Sequence, residues 1–246
     1  MKISVQNLSF GFTDKLLFDK LSIDLTAEQR PLIILGPSGS GKTTLLRLLA
    51  GLLKAKEGCI NFSNEETFKT SFMFQEPRLL PWLTVIENVS LPLIKIFGKA
   101  EAQHRARHFL SLVSLQEKEK NYPRELSGGQ MQRVSMARAF AWPAPALFMD
   151  EPFQSLDIPL RINLMDLCLS LLENEKQKPR LLIAVTHDPR EAIYLGGRVI
   201  ILGKAAEGII FDKGITLSAA DRAYGSVTAA ELEREMIEAL KAASSL

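Results

Sequence analysis

Continuous apolar runs bounded by Gly or Pro recur at residues 31–35, 146–149, 181–185 and 198–202. Runs without alternation predict strands covered on both faces, as in a parallel sheet. Helical stretches separate them, so the pattern predicts an α/β fold with a mainly parallel central sheet. KISVQNLSF and KLSIDL, within the first sixty residues, alternate instead and predict an antiparallel β-layer. Over residues 77–145 strand runs vanish and helical patterns such as AEAQHRARHFLSLVSL replace them. No long Gly/Ser linker flanks this stretch, so it reads as a packed helical subdomain inserted between 1–76 and 146–246, which together form one α/β catalytic core. Near the end of the chain, Thr228 and Glu231 have capping-box spacing ahead of Leu232, Met236 and Leu240 on one face, which predicts a closing helix packed on the body.

Composition narrows the class. A chain of 246 residues that is 46% hydrophobic and 24% charged can bury a sizeable core. Thirty Lys and Arg against 28 Asp and Glu give a net charge of +2, which provides no electrostatic footprint for nucleic acid. Cys59 and Cys168 lie in apolar sequence surroundings, as expected for buried thiols in a reducing compartment. No uncharged apolar run approaches the roughly 20 residues of a membrane span, and the N-terminus lacks the apolar core of a secretory signal. Mean hydropathy of +0.06 leaves room for apolar surface reserved for a partner.

PLIILG followed by PSGSGKTTLLRLLAG has the strand, glycine turn and helix order of a phosphate-binding loop. Gly36, Gly39 and Gly41 let backbone amides converge on phosphate oxygens, and a helix from about Lys42 points its positive end at them. Lys42 can bridge outer phosphates as a point charge, and the Thr43 hydroxyl can ligate Mg²⁺. These features predict a nucleoside triphosphate site. The run ALFMDE carries Asp150 and Glu151 to the carboxyl end of the sheet, where α/β ligands bind. There Asp150 can hold Mg²⁺ through water, and Glu151 can orient or deprotonate an attacking water. His187, in THD after LLIAV, belongs to the same edge.

With these come Gln75 in MFQEP, LSGGQ at 126–130, LFMDEP at 147–152 and SLD at 155–157. In this order, over roughly residues 1–205, the chain resembles the ATP-binding subunit of an ABC transporter. The resemblance implies hydrolysis of ATP with Mg²⁺. It assigns nucleotide contacts to Phe12, which would stack on adenine, to Gly36, Pro37, Ser38, Gly39, Ser40, Gly41, Lys42, Thr43 and Thr44, and to Ser127, Gly128, Gly129, Gln130 and Asp157. Glu151, His187 and Gln75 become the general base, the γ-phosphate contact and the sensor of metal and attacking water. Thr43, Gln75 and Asp150 become the metal set. It also implies a head-to-tail dimer in which each LSGGQ turn closes over the ATP of the other copy. Physically, Ser127 and the amides of Gly128 and Gly129 at a helix N-terminus offer donors and about half a positive charge. Two departures stand out: Gln154 precedes SLD where small residues are common, and Gly197 replaces a frequent Asp.

LLPWLTVIENVSLPL, residues 79–93, resembles the segment that receives a membrane subunit, with Trp82, Leu83, Val85 and Ile86 as an apolar cluster. FQEPRLLPWLTVIENV is similar to importers of the nitrate, sulfonate and taurine group. The implied partners are a permease and, indirectly, an external substrate-binding protein, with the chain peripheral at the cytoplasmic face of the membrane. The alternative is a soluble ABC ATPase acting as an assembly or mechanical factor without a permease. A P-loop kinase or GTPase would leave LSGGQ and His187 unemployed.

Overall fold

The computed structural model describes all residues except 13–14, 30, 64–69, 155, 174–179, 205 and 245–246, and omits the side chains of 29 and 244. Strands β1 (Lys2–Gly11), β2 (Leu16–Thr26) and β4 (Glu57–Phe62) form an antiparallel sheet in the order β2-β1-β4. The second sheet contains β3 (Leu32–Leu35), β5 (Thr70–Met73), β6 (Ala146–Asp150), β7 (Leu181–Val185), β8 (Gly197–Leu202) and β9 (Ile209–Ile215). Its order is β5-β6-β7-β3-β8-β9, parallel except for β9. The helices are α1 (Lys42–Leu49), α2 (Val85–Phe97), α3 (Lys99–Leu112), α4 (Gly128–Ala141), α5 (Ile158–Glu173), α6 (Pro189–Leu195), α7 (Ala219–Arg222) and α8 (Val227–Ser244).

The unbroken apolar runs follow from burial on both faces. Ala146 and Phe148 of β6, Leu181 and Ile183 of β7, and Leu32 and Ile34 of β3 join the core shared with α1 and the antiparallel sheet. Leu147 and Met149, Leu182 and Ala184, and Ile33 and Leu35 face the other core, which α5, α6 and α8 cover. Burying an aliphatic or aromatic side chain of this kind contributes about 1.5–3 kcal/mol, so each strand is fixed from both sides.

The helical stretch 77–145 has a third core of its own, including Val85, Val89, Leu93, Ala106, Leu110 and Val134. A capping box starts α2: Glu87 accepts from the Thr84 amide at 2.8 Å. Helix α4 is shared, with Val134, Ala137 and Ala141 in the third core and Met136 and Phe140 in the core under α5.

Two expectations need correction. Cys59 is exposed, with only Cys168 buried, because Cys59 lies on the sheet-edge strand β4 beside Gln6 and Asn61. Helix α8 begins before Thr228, and its cap is Ser226, whose hydroxyl accepts from the Ala229 amide at 3.4 Å. The 82–86 cluster divides: Val85 and Ile86 are core, whereas Trp82 is 69% exposed. The closing helix does pack as expected, with Met236 fully buried against the sheet.

Candidate functional site

After β3 the chain tightens into the loop 36–41. Gly39 and Gly41 have φ of +82° and +92°, which side-chain-bearing residues adopt rarely. A Cβ on Gly41 would stand 2.7 Å from Phe18 Cζ, and one on Gly36 would stand 2.5 Å from Ser40 Oγ. Lys42, the first residue of α1, folds back so that Nζ donates to the carbonyls of Gly36 (2.9 Å) and Pro37 (3.1 Å). Ser40 is 1% exposed, and its hydroxyl has no hydrogen-bond partner among the described residues. A buried ammonium, an orphan hydroxyl and the N-terminus of α1 form a cradle suited to a polyphosphate. Burial pushes the Lys42 pKa below its ordinary value, while Glu151 and Asp150 act to keep it charged.

Asp150 ends β6 at 4% exposure, and its Oδ1 accepts from Thr43 Oγ1 at 2.8 Å. A hydroxyl and a carboxylate on the rim of a phosphate cradle are the donors with which Mg²⁺ is held when phosphate oxygens and water complete its shell. No group of three or more His, Cys, Asp or Glu side chains able to hold a metal occurs among the described residues. One hydroxyl and one carboxylate leave most of a Mg²⁺ shell to other oxygens, which fits a cation that comes with a nucleotide.

Glu151 leaves the strand at φ +45°, a left-handed step that costs a side-chain-bearing residue about 1–2 kcal/mol. Its amide is held by the Val185 carbonyl at 3.0 Å, and its carboxylate turns to within 3.4 Å of His187 Nδ1. The two meet because β6 and β7 are parallel neighbours. The His187 loop is braced on both sides: the Thr186 amide donates to Ile34 (3.2 Å), and Asp188 caps α6 and accepts from Arg161 (2.9 Å). Arg161 also donates to the Leu156 carbonyl at 3.2 Å, joining the loop after Glu151 to the loop of His187.

Gln75, just beyond β5, is exposed, and its Nε2 donates to Gln154 Oε1. Phe12 is 62% exposed and meets Phe10 edge-on at 5.2 Å, while Phe10 itself is core; the aromatic left free is thus Phe12. Asp157 is exposed and accepts from the Leu160 amide at the start of α5. Ser155 lies outside the described residues.

The structure brings Lys42, Thr43, Asp150, Glu151 and His187 to one edge of the sheet. Ser127, Gly128, Gly129 and Gln130 belong elsewhere, at the N-terminus of α4. Ser127 Oγ accepts from the Gln130 amide (3.3 Å), and Gln130 Oε1 accepts from the Ser127 amide (2.9 Å). This capping box is legible in the spacing of Ser127 and Gln130. Ser127 and Gly128 are exposed, and a Cβ on Gly129 would stand 2.5 Å from Leu160 Cδ2. Neither Arg161 nor the partner of Gln154 could be found from sequence, since both act across segments that only the fold brings together.

Residues 18–154 match the family model described as ABC transporter. The chain is 39% identical over 231 residues to the aliphatic sulfonates import ATP-binding protein SsuB 1 of Mesorhizobium japonicum, covering 93% of this chain and 84% of the relative. It is 38% identical over 218 residues to the sulfate/thiosulfate import ATP-binding protein CysA 2 of Rhizobium meliloti, covering 84% of this chain and 58% of that relative. Among solved structures it is similar to the dimeric post-hydrolysis state of the ATP-binding cassette MJ0796 bound to ADP and Pi. That match has a TM-score of 0.74 and 29% identity, over 88% of this chain and all of that one. With the family model reaching from β2 to the turn after Glu151, and relatives aligned along most of the remainder, this chain belongs to the ABC transporter family, as one of its ATP-binding, ATP-hydrolysing subunits.

Proposed function

We propose that the chain energises a membrane importer by binding ATP between two copies of itself, head to tail, and hydrolysing it. The observation that carries this reading is the split between two half-sites. The cradle of Lys42, Thr43 and Asp150 is built at the sheet edge, whereas the exposed turn of Ser127 and Gly128 has no hydrogen bond to it among the described residues. A turn with free amide donors at a helix N-terminus gains an anion when a second copy presents one.

The amides of 38–43 and the Lys42 ammonium hold the triphosphate, and Phe12 offers its face to adenine. Bound Mg²⁺, held through Thr43, Asp150 and Gln75, would offset phosphate charge. Glu151 takes the proton of the attacking water. His187, within reach of Glu151, holds that carboxylate and the γ-phosphate in register. Asp157, on the exposed start of α5, faces the other copy. ATP favours the closed pair because only there does it touch both copies, and a ligand shifts an equilibrium only through such differential contact.

The exposed Trp82, Leu91 and Ile94 on the 77–145 subdomain offer an apolar surface to a permease. Among the described residues no helix is long and apolar enough to cross a membrane, consistent with a peripheral subunit at the cytoplasmic face. Relatives named for import of aliphatic sulfonates and of sulfate or thiosulfate support a small oxyanion or organic anion as cargo, delivered by an external binding protein.

Glu151→Gln should lower ATP turnover by about 10² or more and leave an ATP-stabilised dimer visible by light scattering. A Glu151→Gln chain that turns over ATP at the normal rate would remove Glu151 from the mechanism. Copurification from membranes tests the importer reading; a chain that binds no permease under conditions preserving such complexes favours a soluble ATPase.

A further inference from the structure

Polar contacts link α4 to two neighbouring segments and those segments to each other. Gln132, only 5% exposed, donates Nε2 to the Pro152 carbonyl at 2.5 Å, gripping the turn that follows Glu151. Arg138, two turns further along the helix, donates to the carbonyls of Pro77 (2.7 Å) and Arg78 (3.1 Å), gripping the segment that follows Gln75. The third contact joins those two gripped segments directly, through the side chains of Gln75 and Gln154. Within its turn, the Gln154 amide donates to the Glu151 carbonyl at 3.3 Å, and the buried ring of Phe153 anchors the turn from below. The result is a closed ring running α4, Pro152, Gln154, Gln75, Pro77 and back to α4.

We propose that Gln154 is a positioning residue for Gln75. An amide side chain has an acceptor end and a donor end. Because Gln154 offers its oxygen, Gln75 presents its NH₂ there, and the Gln75 oxygen would stay available to a cation held through Thr43 and Asp150. A small residue at 154 has no side-chain carbonyl to offer Gln75. In this chain, therefore, the orientation of Gln75 is set by the turn that carries Glu151. A movement of the 77–145 subdomain must either carry that turn along or break the clasp. This inference rests on the ATPase reading of the site.

The test uses the full chain loaded with a non-hydrolysable ATP analogue, with Mn²⁺ as the probe cation followed by electron paramagnetic resonance. Ligand-supporting contacts of this kind change metal affinity by about tenfold, so Gln154→Ser should weaken Mn²⁺ binding by about that factor while analogue binding without cation stays within about twofold. Gln75→Ala should weaken Mn²⁺ equally, and adding Gln154→Ser to it should change nothing further. Independent, additive losses in the double variant, or a Gln154→Ser chain with wild-type Mn²⁺ affinity, would overturn the assignment. So would a parallel loss of cation-free analogue binding, which marks a general structural defect. Failure of the underlying ATPase reading looks different, since the wild-type chain would then bind no analogue at all.

Discussion

Glu191, at the foot of α6, is 4% exposed. Its Oε2 accepts from Thr186 Oγ1 at 2.5 Å, and its Oε1 lies 3.4 Å from Arg161. Burial raises its pKa above the ordinary 4.5, with Asp188 adding to the rise while Thr186, Arg161 and His187 oppose it. A carboxyl whose folded pKa is raised contributes stability that is complete below its unfolded pKa and is lost as pH rises through the folded value. Glu191→Gln keeps an acceptor for Thr186 and abolishes the titration. The variant should therefore gain thermal stability relative to wild type as pH rises from about 4.5, and then keep a constant difference. Parallel melting profiles across that window would contradict the burial argument. Residue chemistry was readable from sequence where the motif is local, as at Lys42 and Thr43. Glu191 was not, because its carboxyl matters through Thr186 and Arg161, which lie on other elements.

At the scale of elements, the 79–84 segment ahead of α2 is held by one buried side chain. Asn88, 2% exposed, accepts from the Leu80 amide at 2.7 Å and donates toward the carbonyls of Leu80, Leu83 and Thr84 at 3.0–3.1 Å. Leaving such groups unsatisfied costs about 1–3 kcal/mol each. Asn88→Leu should thus speed hydrogen exchange of the 79–84 amides while leaving α3 protected. Equal exchange in both chains would show that Trp82 is held in position by something other than Asn88. Helix α4 illustrates why elements are only partly legible. A helix packed on one side shows a polar and an apolar face, but α4 is buried by two cores, so its sequence shows no clean stripe and its boundary came from LSGGQ.

For the whole molecule, the head-to-tail pairing proposed above makes activity a property of pairs, because the cradle and the Ser127 turn lie apart in one chain. A two-fold interface repeats each contact on both copies. In a head-to-tail dimer, Lys42→Ala damages the cradle and Ser127→Arg damages the turn, each disabling both sites of its own homodimer. Mixed in equal amounts, the two inactive chains should recover part of the wild-type ATP turnover, because one site of each mixed dimer is built from an intact cradle and an intact turn. No recovery in a mixture shown to exchange subunits would reject the shared site. Turnover of the wild-type chain should likewise fall on dilution.

The sequence by itself determined the strands β3, β6, β7 and β8, the phosphate cradle and the helical insertion, because each is written locally: apolar runs fit a strand covered on both faces, and a glycine turn before a helix fits an anion. Tertiary structure decided what depends on neighbours. The order β5-β6-β7-β3-β8-β9 brings Gln75, Glu151 and His187, from three separate segments, to one edge. Edge position leaves Cys59 exposed, packing buries Phe10 and leaves its neighbour Phe12 exposed, and the clasp of Gln154 on Gln75 exists only once two loops converge. Spacing along a chain records which contacts are possible within a turn or a strand. Contacts across it are selected by burial of both sheet faces, a condition no single segment can state.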